Sequence, residues 1–134
     1  MNLDALKETL AGEPSIQLAV LFGSVARGRC GPMSDLDLAL VLEPDSPEKR
    51  RQVEVAADRA ARRETDFIYL DEAPPLLCFQ IARDGMVLVE RHPRLWTRFK
   101  ARAMVDWWDW APIARQINAA YIRRLREQVA YGGS

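Results

Sequence analysis

The residues of this chain best suited to chemistry lie in one segment, Leu21-Phe22-Gly23-Ser24-Val25-Ala26-Arg27-Gly28, followed after Met33-Ser34 by Asp35-Leu36-Asp37-Leu38. Ten residues thus separate a Gly-Ser pair from an Asp-x-Asp pair. In a strand, side chains at i and i+2 leave the same face, so Asp35 and Asp37 project together while Leu36 and Leu38 enter the core. Two carboxylates so placed repel, and a shared divalent cation is the natural way to hold both ionised. Oxygen ligands of this kind suit magnesium. Gly23 lets the backbone turn sharply and approach a phosphate with no Cβ in the way. The Ser24 hydroxyl and nearby amides, at the start of a short helix containing Val25 and Ala26, are placed to donate to β and γ phosphates. Arg27 either adds a charge-assisted contact to that phosphate tail or braces the loop by pairing with an acid. The chemistry such a set serves is attack on a triphosphate, in which phosphate charge must be neutralised and nucleophile and leaving group aligned. Two magnesium ions do both at once.

The elements that must position these residues are legible in the hydrophobic pattern. Leu3, Leu6 and Leu10 recur at helical spacing before Gly12 and Pro14 stop the helix. Ile16 to Phe22, apolar but for Gln17, is a run of strand length, expected to be buried, and it ends at Gly23-Ser24. Asp35 to Leu42 reads as a second strand with Leu36, Leu38, Leu40 and Leu42 on one face and the aspartates opening the other. Ser46-Pro47-Glu48 has the N-cap, first-turn proline and first-turn acid of a helix, with Val53, Ala56, Ala57 and Ala60 as its buried stripe. Thr65 to Leu70 is a third strand. Pro74-Pro75 opens a helix through Ala82 that Gly85 closes, and Met86 to Val89 is one more short strand. Beyond Pro93 the chain is helical almost to its end. From Pro112 onward, Ile113, Ile117, Tyr121, Leu125 and Val129 recur every four residues and predict an amphipathic helix of about five turns. The fold class is therefore α/β (α+β): a small mixed sheet with helices packed on it over residues 1–90, then a helical part over 93–131, in a single domain spanning 1–134.

Composition narrows the functions available. At 134 residues the chain is long enough for one domain with a core and too short for two of ordinary size. Nineteen basic residues balance nineteen acidic ones, which gives no electrostatic case for nucleic acid as a partner. No apolar stretch approaches the length a membrane helix needs, and the first ten residues carry Asp4, Lys7 and Glu8 rather than a signal-peptide core, so the expected home is the cytoplasm. Cys30 and Cys78 lie far apart with no second cysteine or histidine at metal-ligand spacing, and read as small buried or incidental thiols. His92, between Arg91 and Pro93 in an apparent turn, reads as an exposed structural residue.

Over residues 16 to 42 the Gly-Ser and Asp-x-Asp arrangement resembles the DNA polymerase β-like nucleotidyltransferases, and most closely their minimal nucleotidyltransferase branch. That resemblance implies a third acid on a later strand to complete the metal cluster. The matching position is Asp66 in Thr65-Asp66-Phe67-Ile68, with Asp71 the fallback at the strand's end. It implies that Asp35 and Asp37 bind both magnesium ions, and that Asp66 binds the catalytic one and helps deprotonate the incoming hydroxyl. Chains of this size in the branch are similar to the antitoxin halves of toxin–antitoxin pairs, whose partner is a HEPN-domain ribonuclease. The implied reaction is AMP transfer from ATP to a tyrosine hydroxyl of that toxin, in a hetero-oligomer. A small-molecule nucleotidyltransferase of aminoglycoside type, and an antitoxin acting by binding alone, are the alternatives. Trp107, Trp108 and Trp110 add to the case for a protein partner, because three tryptophans within four residues of a helix cannot all face inward. For the stripe beyond Pro112, ordinary core packing and a partner surface both remain open.

Overall fold

The structure, a computed structural model, describes residues 3–23 and 36–132. Helix α1 (Leu3–Ala11) leads into strand β1 (Ile16–Phe22), followed by β2 (Leu36–Leu42), α2 (Pro47–Ala61), β3 (Thr65–Tyr69), a single 3-10 turn at Leu70–Glu72, α3 (Pro75–Asp84), β4 (Met86–Glu90) and α4 (Leu95–Gly132). The four strands form one mixed sheet in the order β3-β2-β1-β4. In it β1 runs antiparallel to both β2 and β4, and β2 runs parallel to β3. Parallel pairing of β2 and β3 requires a crossover, and α2 supplies it.

Helices cover both faces, which explains why β1 is apolar from Leu18 to Phe22 rather than alternating. On one face Leu36, Leu38, Leu40 and Leu42 join Ala19 and Leu21 against Leu6 and Leu10 of α1 and Val53, Ala57 and Ala61 of α2. On the other, Leu18, Val20 and Ala39 pack with Leu70, Ile81, Trp96 and Phe99 beneath α3 and α4. The period-two alternation of β2 therefore divides its residues between two cores.

Local chemistry fixes the ends of these elements. Ser46 caps α2, its hydroxyl accepting from the Lys49 amide at 3.0 Å, with Pro47 in the first turn. The Arg91 guanidinium donates to the carbonyls of Ala11, Glu13 and Ile16 at 3.0 to 3.2 Å, holding the α1–β1 turn against the end of β4. Arg50 in α2 grips Asp45 at 2.8 Å and Glu72 at 2.7 Å while lying 3.8 Å over the Tyr69 ring. It thereby ties α2 to the end of β3.

In one respect the helical tail differs from the pattern reading. Pro112 lies inside α4, which runs unbroken for 38 residues, instead of opening a new helix. A proline within a helix removes one i to i−4 hydrogen bond, here the one to Trp108, and the turns on either side carry the helix across it. Among the described residues no helix is long and apolar enough to cross a membrane.

Two expectations follow for stability. A Cβ on Gly85 would lie 2.5 Å from the Ile81 carbonyl oxygen and 2.6 Å from Val20 Cγ1, both fixed in the core. Gly85→Ala should therefore cost about 1–3 kcal/mol in denaturant unfolding, the usual range for overpacking. The hydrogen bonds from Arg50 hold the Asp45 and Glu72 carboxyls below their ordinary 3.8 and 4.5. A carboxylate depressed in the folded state stabilises above its unfolded pKa, and that stabilisation is lost as pH falls through the folded value. Arg50→Ala should thus lower the melting temperature slightly at pH 7, as expected for exposed ion pairs, and the gap to the parent should shrink as the pH is taken below about 4.

Candidate active site

The site forms where the C-terminal end of β1 meets the N-terminal ends of β2 and β3. Phe22 pairs with Asp37 across the antiparallel β1–β2 ladder, and Gly23 follows at once with φ of 79°. That left-handed conformation favours glycine on its own account. A second constraint coincides with it: a Cβ on residue 23 would sit 3.1 Å from Asp37 Cγ and collide with Oδ2. The Asp37 carboxylate therefore occupies the space that a side chain at 23 would need. The backbone turn and the acid are built around each other.

Asp37 and Asp66 are direct partners in the parallel β2–β3 ladder. Paired residues on neighbouring strands present their side chains to the same face, with backbones about 4.8 Å apart. The face they share belongs to Ala39 and the α3–α4 core, while Leu36, Leu38 and Phe67 serve the other. Asp37 is half-buried and Asp66 exposed, so the pair opens from the sheet toward solvent. Two carboxylates side by side at a sheet end, next to a glycine turn, form an oxygen-donor set of the kind magnesium takes.

Three of the expected site residues, Ser24, Arg27 and Asp35, lie outside the described residues. Among the described residues no group of three potential ligands forms, and Asp37 with Asp66 is the pair brought together here. Asp71 stands elsewhere. It lies in the 3-10 turn beyond the far end of β3, more than about 10 Å along the strand from Asp66. There it lines a cleft of about 450 Å³ with Leu70, Cys78, Arg98, Arg102 and Asp106. Burial, then the Asp106 charge, pushes the Cys78 thiol up from its ordinary pKa, which suits a packing residue rather than a nucleophile. Pattern reading missed this cleft because its walls are brought together only by the docking of α4 on α3. His92 is exposed in the turn before α4, as expected.

A sequence model described as polymerase beta, nucleotidyltransferase, matches residues 4–94, which hold all four strands and the Gly23, Asp37 and Asp66 positions. The chain belongs to this nucleotidyltransferase family. No curated protein matches it by sequence. Among solved structures, the family chain is similar to one in a toxin–antitoxin complex with AMP-PNP, at 22% identity and a TM-score of 0.77, over 91% of this chain and 99% of that one. It is also similar to one in the MntA–HepT toxin–antitoxin complex, at 20% identity and a TM-score of 0.69, over 90% and 96%. A third match is in a complex of tri-AMPylated Shewanella oneidensis HEPN toxin with MNT antitoxin, at 20% identity and a TM-score of 0.65, over 90% and 92%. At these identities the likeness is one of fold. The α/β architecture and the helical tail read from the sequence are those of this nucleotidyltransferase group.

Because Gly23 answers both to its φ and to the Asp37 carboxylate, Gly23→Ala should cost more than a surface substitution, about 1 kcal/mol or more. It should also weaken divalent-cation binding by moving Asp37. Titration with Mn²⁺, read by calorimetry on protein verified as folded, measures this. Affinity equal to that of the parent would contradict the close packing of turn and acid.

Proposed function

We propose that this nucleotidyltransferase moves AMP from ATP to a tyrosine hydroxyl of a HEPN-domain toxin and thereby acts as the antitoxin of the pair. The observation that carries the reading is the pairing of Asp37 with Asp66 across the parallel ladder, beside the Gly23 turn. The same fold occurs in antitoxin complexes, one with AMP-PNP and one with an AMPylated toxin, which favours AMP and a protein acceptor.

In this reading Asp35, Asp37 and Asp66 hold two magnesium ions. When bound, these neutralise the triphosphate and align the groups that react. Gly23 and Ser24 cradle the β and γ phosphates with backbone amides and the hydroxyl, and Arg27 reaches the same tail. The acceptor oxygen forms a bond to the α phosphorus, the α–β anhydride breaks, and pyrophosphate leaves. Asp66, the exposed member of the pair, receives the hydroxyl proton. The whole of 1–134 serves as one nucleotidyltransferase domain, working in the cytoplasm and without direct contact to nucleic acid.

One observation favours a second reading. Exposed apolar side chains, among them Trp108, Ile113, Ile117 and Tyr121, run along α4, so an antitoxin that only covers its partner has a surface to do so. Incubation with α-labelled ATP, Mg²⁺ and the HEPN-domain protein of the same genome separates the two. Label should pass to a tyrosine of that protein, and Asp37→Ala with Asp66→Ala should cut transfer at least about 100-fold, since even changes behind metal ligands cost 10- to 100-fold. If the double variant still neutralised the toxin fully in cells, neutralisation by binding alone would replace the catalytic account. Pyrophosphate release that depends on an aminoglycoside, with no labelled protein, would point to a small-molecule acceptor.

A further inference from the structure

The far half of α4 leaves the body of the molecule. Ala103 is buried, Trp107 stacks on Phe79 of α3 at 5.3 Å, and Ala111 is the last described buried side chain. Every described side chain after it is exposed, although the helix continues to Gly132. At 1.5 Å per residue this leaves an overhang about 30 Å long.

The overhang keeps the apolar stripe that docks the first half. Ile117 lies fourteen residues after Ala103, and Tyr121 fourteen after Trp107. A helix drifts by only about 20° per seven residues, so both stay nearly in line with the packed side of α4. Trp110, Ile113, Ile117 and Tyr121 are 38, 53, 58 and 62% exposed. Together they leave on the order of 500 Å² open, in the upper half of the range for a monomer's largest apolar patch.

Charge says what fits there. After Ala111 the sequence holds four arginines against one glutamate, so a neutral chain divides into a +3 tail and a −3 remainder. Two such stripes face to face would bring like charges together. The remaining exposed apolar residues off α4, namely Val55, Leu76 and Met86, are scattered over three elements and offer a second copy no matching strip.

We infer that residues 112–132 form a docking arm for a helix of the protein that accepts the nucleotide, a helix whose apolar stripe is bordered by aspartate and glutamate. The inference rests on the protein-acceptor reading above and adds to it the surface that holds the acceptor. The arm lies outside residues 4–94, so it can be altered without touching the nucleotide site.

The test uses the full chain and the HEPN-domain protein of the same genome, with affinity read by calorimetry. Ile117→Asp with Tyr121→Asp should weaken the complex at least tenfold. Arg123→Glu with Arg124→Glu should weaken it and flatten its dependence on salt. Both variants should keep the parent's melting temperature and its binding of Mg²⁺-ATP without partner. Unchanged affinity in both variants, with label still passing to the partner, would overturn the docking arm and leave the transferase reading intact. A parent chain that dimerises at micromolar concentration, and becomes monomeric in the Ile117 and Tyr121 variant, would assign the stripe to a second copy instead. Neither binding nor labelling of the HEPN-domain protein by the parent would overturn both readings.

Discussion

The structure turns on one electrostatic liability, two carboxylates held side by side where β2 and β3 begin. Asp37 and Asp66 are locked by ladder register rather than by their own preference, because slipping one strand by a residue would send every leucine of β2 to the wrong core. The repulsion between them is thus charged against the burial of Leu36, Leu38, Leu40 and Leu42. Those four side chains are at most 3% exposed, which makes the register expensive to change. A rigid frame holding two carboxylates together leaves a place where a divalent cation is stabilising.

The remaining elements can be ranked by their distance from that pair. α1 and α2 cover the leucine face and set β2 in place; α2 also provides the crossover that makes β2 and β3 parallel, without which Asp66 would not come alongside Asp37. Arg50 reinforces the crossover at its far end by joining Asp45, Glu72 and Tyr69. α3 and the first half of α4 close the opposite face, which the aspartates share. Gly85 lets α3 turn directly into β4 against Val20.

How much of this was legible in the sequence depended on the range of the interaction. The Gly23 turn and the place of Asp37 on its strand could be read directly, since a turn and a period-two strand are local. All four strands and the Ser46 cap were legible for the same reason. Asp66 was different. Nothing within β3 distinguishes its acid from an ordinary exposed one, because its place beside Asp37 follows from a register set by a crossover helix. Only resemblance to a family pointed to it. The cleft lined by Asp71, Cys78 and Asp106 left no sequence signal, since α4 makes one wall and the 3-10 turn another. Pro112 misled in the opposite way. Its ring suits a first turn equally well, and the hydrogen-bonded turns on both sides carry the helix across it.

That continuity bears on how, in the proposed reading, this nucleotidyltransferase holds a protein acceptor. Among the described residues both faces of its sheet are covered by helices. In that reading an extended covering helix supplies the surface for the acceptor: the stripe that packs against α3 continues, exposed, past Ala111 at the same spacing. The balanced overall composition conceals the arrangement. A net charge of zero excludes a general attraction to polyanions, yet it is the sum of an acidic catalytic body and a basic arm, and each half can meet a different ligand.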